Sequence, residues 1–156
     1  MSFTYSNFLK WVLFILLVFF LSFNFFDSKN IEEPQPIQNV KHVKIGGVSV
    51  AVELALNPAS QAQGLSGRNQ LGKNEGMLFV FDRPDQYAFW MKDMNFPIDI
   101  IWIGEDLQIV YIKKNAAPES YPETFTPEIK AKYVLEVISG FSEKNNLKEK
   151  DKVLFF

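Results

Sequence analysis

The chain has 156 residues, no cysteine, 16 basic and 18 acidic side chains, one histidine (His42) and a formal net charge of -2. That length suits one domain of ordinary size, and the charge balance speaks against a nucleic-acid binder, which carries a clear basic excess. The lack of thiols excludes disulfide scaffolds, Cys-based zinc sites and thiol nucleophiles, a lone histidine speaks against a His-based triad or multi-histidine metal centre, and no cofactor or metal is expected.

Eight of the 16 phenylalanines lie within residues 1–26, where Lys10 is the only charged side chain. Residues 8–26, FLKWVLFILLVFFLSFNFF, form a 19-residue stretch with one charge near its start. As a helix it would span about 28 Å, close to the roughly 30 Å hydrocarbon core of a bilayer. A soluble helix apolar on every face would need a large protein around it. The stretch therefore reads as an N-terminal transmembrane helix that holds the protein to the membrane. It ends in LSFNFFDSKN, with phenylalanines where a cleavable signal needs small residues, which favours an uncleaved anchor. The short tail before it places the N-terminus inside and the rest of the chain outside, a single-pass extracytoplasmic arrangement.

Residues 27–39, DSKNIEEPQPIQN, are polar with two prolines and read as a stiff, extended linker. The domain then runs over 40–156. Val40–Ile45 and Val48–Leu54 flank Gly46-Gly47, a hairpin turn dipeptide, and Val48, Val50, Val52 and Leu54 share one face. Asn57-Pro58 starts a short helix that Gly64 stops. Strands follow at Met77–Phe81, Tyr87–Met91, Ile98–Ile103, Leu107–Ile112, Ala131–Ile138 and Lys152–Phe156, with a second short helix at Phe141–Asn146. Lys113–Lys130, with three prolines, reads as a long irregular loop. About eight short strands with brief turns predict a mainly β domain, a jelly-roll-like sandwich or a partly closed barrel with one or two short helices.

GMLFVFDRPDQYAFWMKDMNFPIDIIWI, preceded by AQGLSGRNQL and followed by AKYVLEVISGF, resembles the bacterial and archaeal domain-of-unknown-function 192 family over residues 48–156. The run GMLF, then FWMK, then PID carries the resemblance. It implies a small, mainly β domain of jelly-roll-like type, often behind an export signal or anchor, and no agreed activity. Many relatives carry Asn-Thr after FWMK and cysteines in the long loop; this chain has Asp93-Met94 and no cysteine.

Asp99 is the sharpest anomaly. PIDIIWI is apolar on both faces, so a carboxylate on the face of Ile101 and Ile103 lies at or beside the core. It must be hydrogen-bonded, paired or protonated. As structure it would accept loop amides or pair with Lys92 or Arg68; as function it would be a general acid or base. Trp90, Met91, Lys92 and Asp93 end one strand with a flat apolar platform beside charges, which suits a sugar or small-ligand pocket. Asp93, Asp99 and Glu75 could also supply the two carboxylates of glycoside hydrolysis. Met77, Met91 and Met94 read as core filling rather than a Cu(I) site.

Two functions follow. The first is a membrane-anchored extracytoplasmic module that binds a small ligand or envelope glycan through Trp90, Met91, Lys92, Asp93, Asp99, Arg68 and Glu75. The second is an envelope polysaccharide hydrolase. The absence of a nucleophile constellation favours the first.

Overall fold

The computed structural model describes residues 36–156. The expected membrane helix at 8–26 and most of the 27–39 linker lie outside the described residues. Among the described residues no helix is long and apolar enough to cross a membrane.

Nine strands form: β1 (His42–Ile45), β2 (Val48–Ala55), β3 (Glu75–Asp85), β4 (Phe89–Trp90), β5 (Ile98–Ile103), β6 (Ile109–Ala116), β7 (Thr124–Phe125), β8 (Ala131–Ile138) and β9 (Val153–Phe155). Among the described residues two short α-helices, α1 (Pro58–Gln63) and α2 (Phe141–Lys144), and two single 3-10 turns, Ile37–Asn39 and Pro118–Ser120, accompany them. Seven strands make one sheet in the order β6-β5-β8-β3-β2-β1-β9, antiparallel except for the parallel β2–β3 pair, and β4 and β7 form a separate ribbon.

The sheet curls until its two edges meet at one end. Gln108 bridges Lys152, the Ile109 N–H donates to the Asp151 carbonyl at 3.0 Å, and the Val153 N–H donates to the Leu107 carbonyl at 2.9 Å. The result is a half-barrel built from one curled sheet, not two stacked sheets, so the sandwich expectation gives way to the partly closed barrel.

Curling gives the sheet two cores. Ile45, Val50, Leu78, Ile101, Leu135 and Val153 belong to a cluster drawing on all seven strands, both edges included, and fill the inside. Met77, Phe79, Ile98, Ile100, Trp102 and Val134 form the other cluster, on the outer face. The β4–β7 ribbon covers that outer face through Phe89, which packs edge-on against both Phe79 and Trp102. Two-sided coverage explains why all six residues of β5 are buried.

Local chemistry sets the turns. Gly46 and Gly47 take φ of 56° and 79°, the positive angles of a tight hairpin turn. Helix α1 begins at a capping box: Asn57 Oδ1 accepts from the Ser60 N–H at 2.9 Å and Ser60 Oγ accepts from the Asn57 N–H at 3.2 Å. It ends at Gly64, φ 50° and ψ -135°, a conformation open to glycine alone. The chain then crosses from β2 to the parallel β3, and this crossover carries α1 onto the outer face.

Several expected boundaries move. Strand β3 extends to Asp85 through a register shift after Val80, because Asp82, Arg83 and Pro84 sit in an irregular stretch of ladder. The strand expected over Tyr87–Met91 shortens to Phe89–Trp90, because those residues leave the main sheet to pair with β7. Part of the expected Lys113–Lys130 loop is ladder, since β6 runs to Ala116 and Thr124–Phe125 forms β7.

Candidate functional site

The register lines up one row of side chains across the outer face. Glu53 stands beside Met77, Met77 beside Glu136, Glu136 beside Ile100, and Ile100 beside Lys113. The charges at the two ends have partners. Arg68 donates to Glu53 Oε1 and Oε2 at 2.6 and 2.7 Å, and the Lys113 ammonium lies 4.2 Å from the centre of the Phe125 ring. The charge in the middle has none. Glu136 is 5% exposed and its Oε2 has no hydrogen-bond partner. Burial pushes its carboxyl up to about 8, with the Arg68 charge pulling weakly the other way.

Glu136 opens onto a cavity of about 320 Å³ between the end of α1 and the β3–β4 segment. Five rings line it, from Phe79, Phe81, Tyr87, Phe89 and Trp90. Phe81 and Tyr87 stack at 3.5 Å between centroids and 10° between planes, while Phe79 and Phe89 meet at 85°. Trp90 is 51% exposed and meets Tyr121 edge-on. Gly64 also lines the cavity; a Cβ there would lie 3.3 Å from the Phe79 ring and 3.8 Å from Glu136 Oε2. Its missing side chain lets the backbone at the end of α1 pass close to the Phe79 ring and the carboxyl.

The polar side chains around the cavity direct their donors into the protein. Gln61 Nε2 donates to the Val80 carbonyl at 2.9 Å, Gln63 Nε2 to the Ser66 carbonyl at 2.9 Å, Ser66 Oγ to the Lys92 carbonyl at 2.8 Å, and Tyr87 Oη to the Arg83 carbonyl at 2.8 Å. Burial raises the Tyr87 phenol, with the Asp85 charge adding to the effect.

Of the residues expected from sequence, the structure brings only Trp90 to this cavity. Met91 is core. Lys92 and Asp93 act through their backbone: the Lys92 carbonyl accepts from Ser66, and the Asp93 carbonyl, at φ 55°, accepts from the Gly67 N–H at 2.8 Å. That pair of bonds ties the FWMKDMNFP turn to the loop after α1. Glu75 is exposed at the start of β3 and accepts from the Gly72 N–H at 3.0 Å.

Asp99 is fully buried, as its position in PIDIIWI predicts, but it pairs with neither Lys92 nor Arg68. Its Oδ1 accepts from the Asn115 N–H at 2.9 Å and the Gly140 N–H at 3.3 Å, and its Oδ2 accepts from the Ser142 N–H at 2.7 Å. Arg68 is held by Glu53, whose carboxyl the guanidinium hydrogen bond keeps below its usual value. Asp93, Asp99 and Glu75 line no part of the cavity, so no pair of them faces a common space there. Glu136 was open to the same sequence argument as Asp99, since in YVLEVI it is a lone charge in an apolar strand.

Comparison with known families agrees with the sequence motif. The model of DUF192, described as Uncharacterized ACR, matches residues 41–155. The chain belongs to this family. Two solved structures resemble it. A "putative transcription regulator" from Sinorhizobium meliloti 1021 is 30% identical, with a TM-score of 0.69, over 73% of this chain and 92% of that one. A protein of unknown function from Novosphingobium aromaticivorans DSM 12444 is 35% identical, with a TM-score of 0.68, over 73% and 84%. No curated protein matches the chain. The DUF192 domain is thus established here as a fold and a family, without an assigned activity.

Proposed function

We propose that this DUF192 domain is a small-ligand-binding module, carried on the outer side of a membrane by residues 8–26, with its site in the cavity between Trp90 and Glu136. One observation supports it above the others: the Glu136 carboxyl is buried with an oxygen that no protein donor meets. An orphaned buried polar group costs on the order of 1–3 kcal/mol, and an apolar residue would remove that cost. A carboxyl kept under such conditions beside a cavity of ligand size marks a binding or active site. The ring-lined walls and half-exposed Trp90 add the apolar contact area that small-molecule sites use. Beyond residue 26 the balance is 15 basic against 18 acidic side chains, which gives the phosphates of a nucleic acid no basic excess to bind.

A ligand-observed NMR screen of small aromatic and polar fragments against the full chain in a maltoside detergent tests the site. Binders should compete with one another and vanish in Ala88→Trp, which fills the cavity from its exposed wall. Binders indifferent to that substitution, or no binders, contradict the reading. The anchoring part has its own test: protease added outside the cell should cut within 27–39 and leave 1–26 in the membrane fraction. A soluble form starting near Asp27 would replace the anchor with a cleaved signal.

A further inference from the structure

We infer that the cavity is a site for a small organic cation, an alkyl or quaternary ammonium, with its charge against Glu136 and its methyl groups among the rings of Phe79, Phe81, Tyr87, Phe89 and Trp90. The inference rests on the small-ligand reading of the same cavity and names the ligand's chemistry.

Three observations converge on a cation. First, Glu136 Oε2 meets no donor in the protein, and Arg68, whose charge acts on Glu136, directs a bond from each terminal nitrogen to Glu53 instead. Second, both amide N–H groups of Gln61 and the hydroxyls of Ser66 and Tyr87 go to backbone carbonyls, and Gln63 gives one of its two N–H groups to the Ser66 carbonyl. Among these side chains the acceptor oxygens outnumber the one N–H left free, a balance that disfavours an anion. Third, aromatic walls attract a cation through their ring quadrupoles, the arrangement that recognises quaternary ammonium groups. A neutral apolar ligand would use the rings and leave Glu136 unmatched. An anion would meet a carboxyl and carbonyl-like oxygens.

Binding should exchange a cation for a proton. Free Glu136 holds its proton at neutral pH, and an ammonium selects the ionised form. The other charged or titratable groups around it are Arg68, its mate Glu53 across Met77, Lys113 across Ile100 with its ammonium over the Phe125 ring, Glu75 at the start of β3, and the Tyr87 phenol. Of these, Arg68 acts on Glu136 directly and favours ionisation.

Isothermal titration calorimetry of the full chain in a maltoside detergent tests this, using choline, its neutral isostere 3,3-dimethyl-1-butanol, and buffers of different ionisation enthalpy. Choline should bind at least tenfold more tightly than the alcohol and release roughly 0.9 proton at pH 7. Its affinity should rise about ninefold from pH 6 to pH 7 and only about twofold from pH 8 to pH 9. Glu136→Gln, checked for folding by its melting curve, should erase the preference and the proton release. Equal binding of alcohol and choline, or choline binding that releases no proton, overturns the cation and leaves the small-ligand site standing. Failure of choline alongside cavity-directed fragment binders does the same, and failure of every compound overturns both.

Discussion

Two carboxylates stand buried on opposite faces of one sheet, and the protein treats them in opposite ways. Asp99 faces the inside of the half-barrel, where the backbone amides of Asn115, Gly140 and Ser142 converge on its two oxygens. Glu136, one strand away on β8, faces the ring-lined cavity, where an oxygen meets no donor. Each interrupts an apolar strand, so burial alone does not separate structural from functional carboxylates. The donors around them do. Asp99 holds together three segments: the end of β6, the glycine before α2, and the first turn of α2. Glu136 holds nothing together: it keeps its proton at neutral pH, and its ionised form is left for a cation from outside to select.

Removing each group should break the symmetry between them. The largest effect belongs to Asp99→Ala, which orphans the buried Ser142 amide and the half-buried Asn115 and Gly140 amides. On the usual cost of each buried unsatisfied donor, the loss is on the order of 3–5 kcal/mol, read as a drop in the denaturation midpoint at pH 7. A loss under about 1 kcal/mol would mean that water or a shifted backbone replaces the carboxylate.

Glu136 gives the second effect, and its sign is opposite. Its folded value of about 8 lies above the ordinary carboxylate value of 4.5, so the folded state binds more protons between them. Stability should therefore be highest at or below about pH 4.5 and fall as pH rises toward 8, by on the order of 3–5 kcal/mol. Glu136→Gln should remove that slope, whatever its offset at one pH. Parallel slopes in the two proteins would show that Glu136 is not the titrating group. The smallest effect is that of Arg68→Ala. The Arg68–Glu53 pair is bidentate, but its side chains are 33% and 63% exposed, and screening holds its contribution to about 1 kcal/mol or less. A larger loss would mean that Arg68 matters through Glu136 rather than through Glu53.

How far the sequence carries the reader depends on what kind of pattern each element leaves. Ile98–Ile103 and Ala131–Ile138 are legible to the residue, because a strand covered on both faces is apolar on both, here broken only by Asp99 in the first and by Lys132 and Glu136 in the second. Helix α1 is equally plain, since Asn57, Pro58 and Gly64 each have a specific terminal role. The β4–β7 ribbon is not legible. Two residues a side carry no period, and β7 sits in a proline-rich stretch. The buried carboxylate at Asp99 follows from its strand, but its partners come from backbone 16 to 43 residues away, which no local pattern encodes. Trp90 is legible as a platform at a strand end. The cavity it borders depends on the β2–β3 crossover, which lays α1 and Gly64 opposite β4, and on the register that sets Glu136 between Met77 and Ile100. Register is a property of paired strands, so a site built on it stays hidden in a single chain.

The most direct test is a pH titration of the Glu136 side-chain carboxyl, followed by carbon NMR on the full chain in detergent, alone and with excess choline. An unpaired buried carboxyl in a cation site should titrate near 8 alone and move to lower pH when the cation is present. A midpoint near the ordinary 4.5 in the free protein, or one that choline leaves in place, would contradict the account.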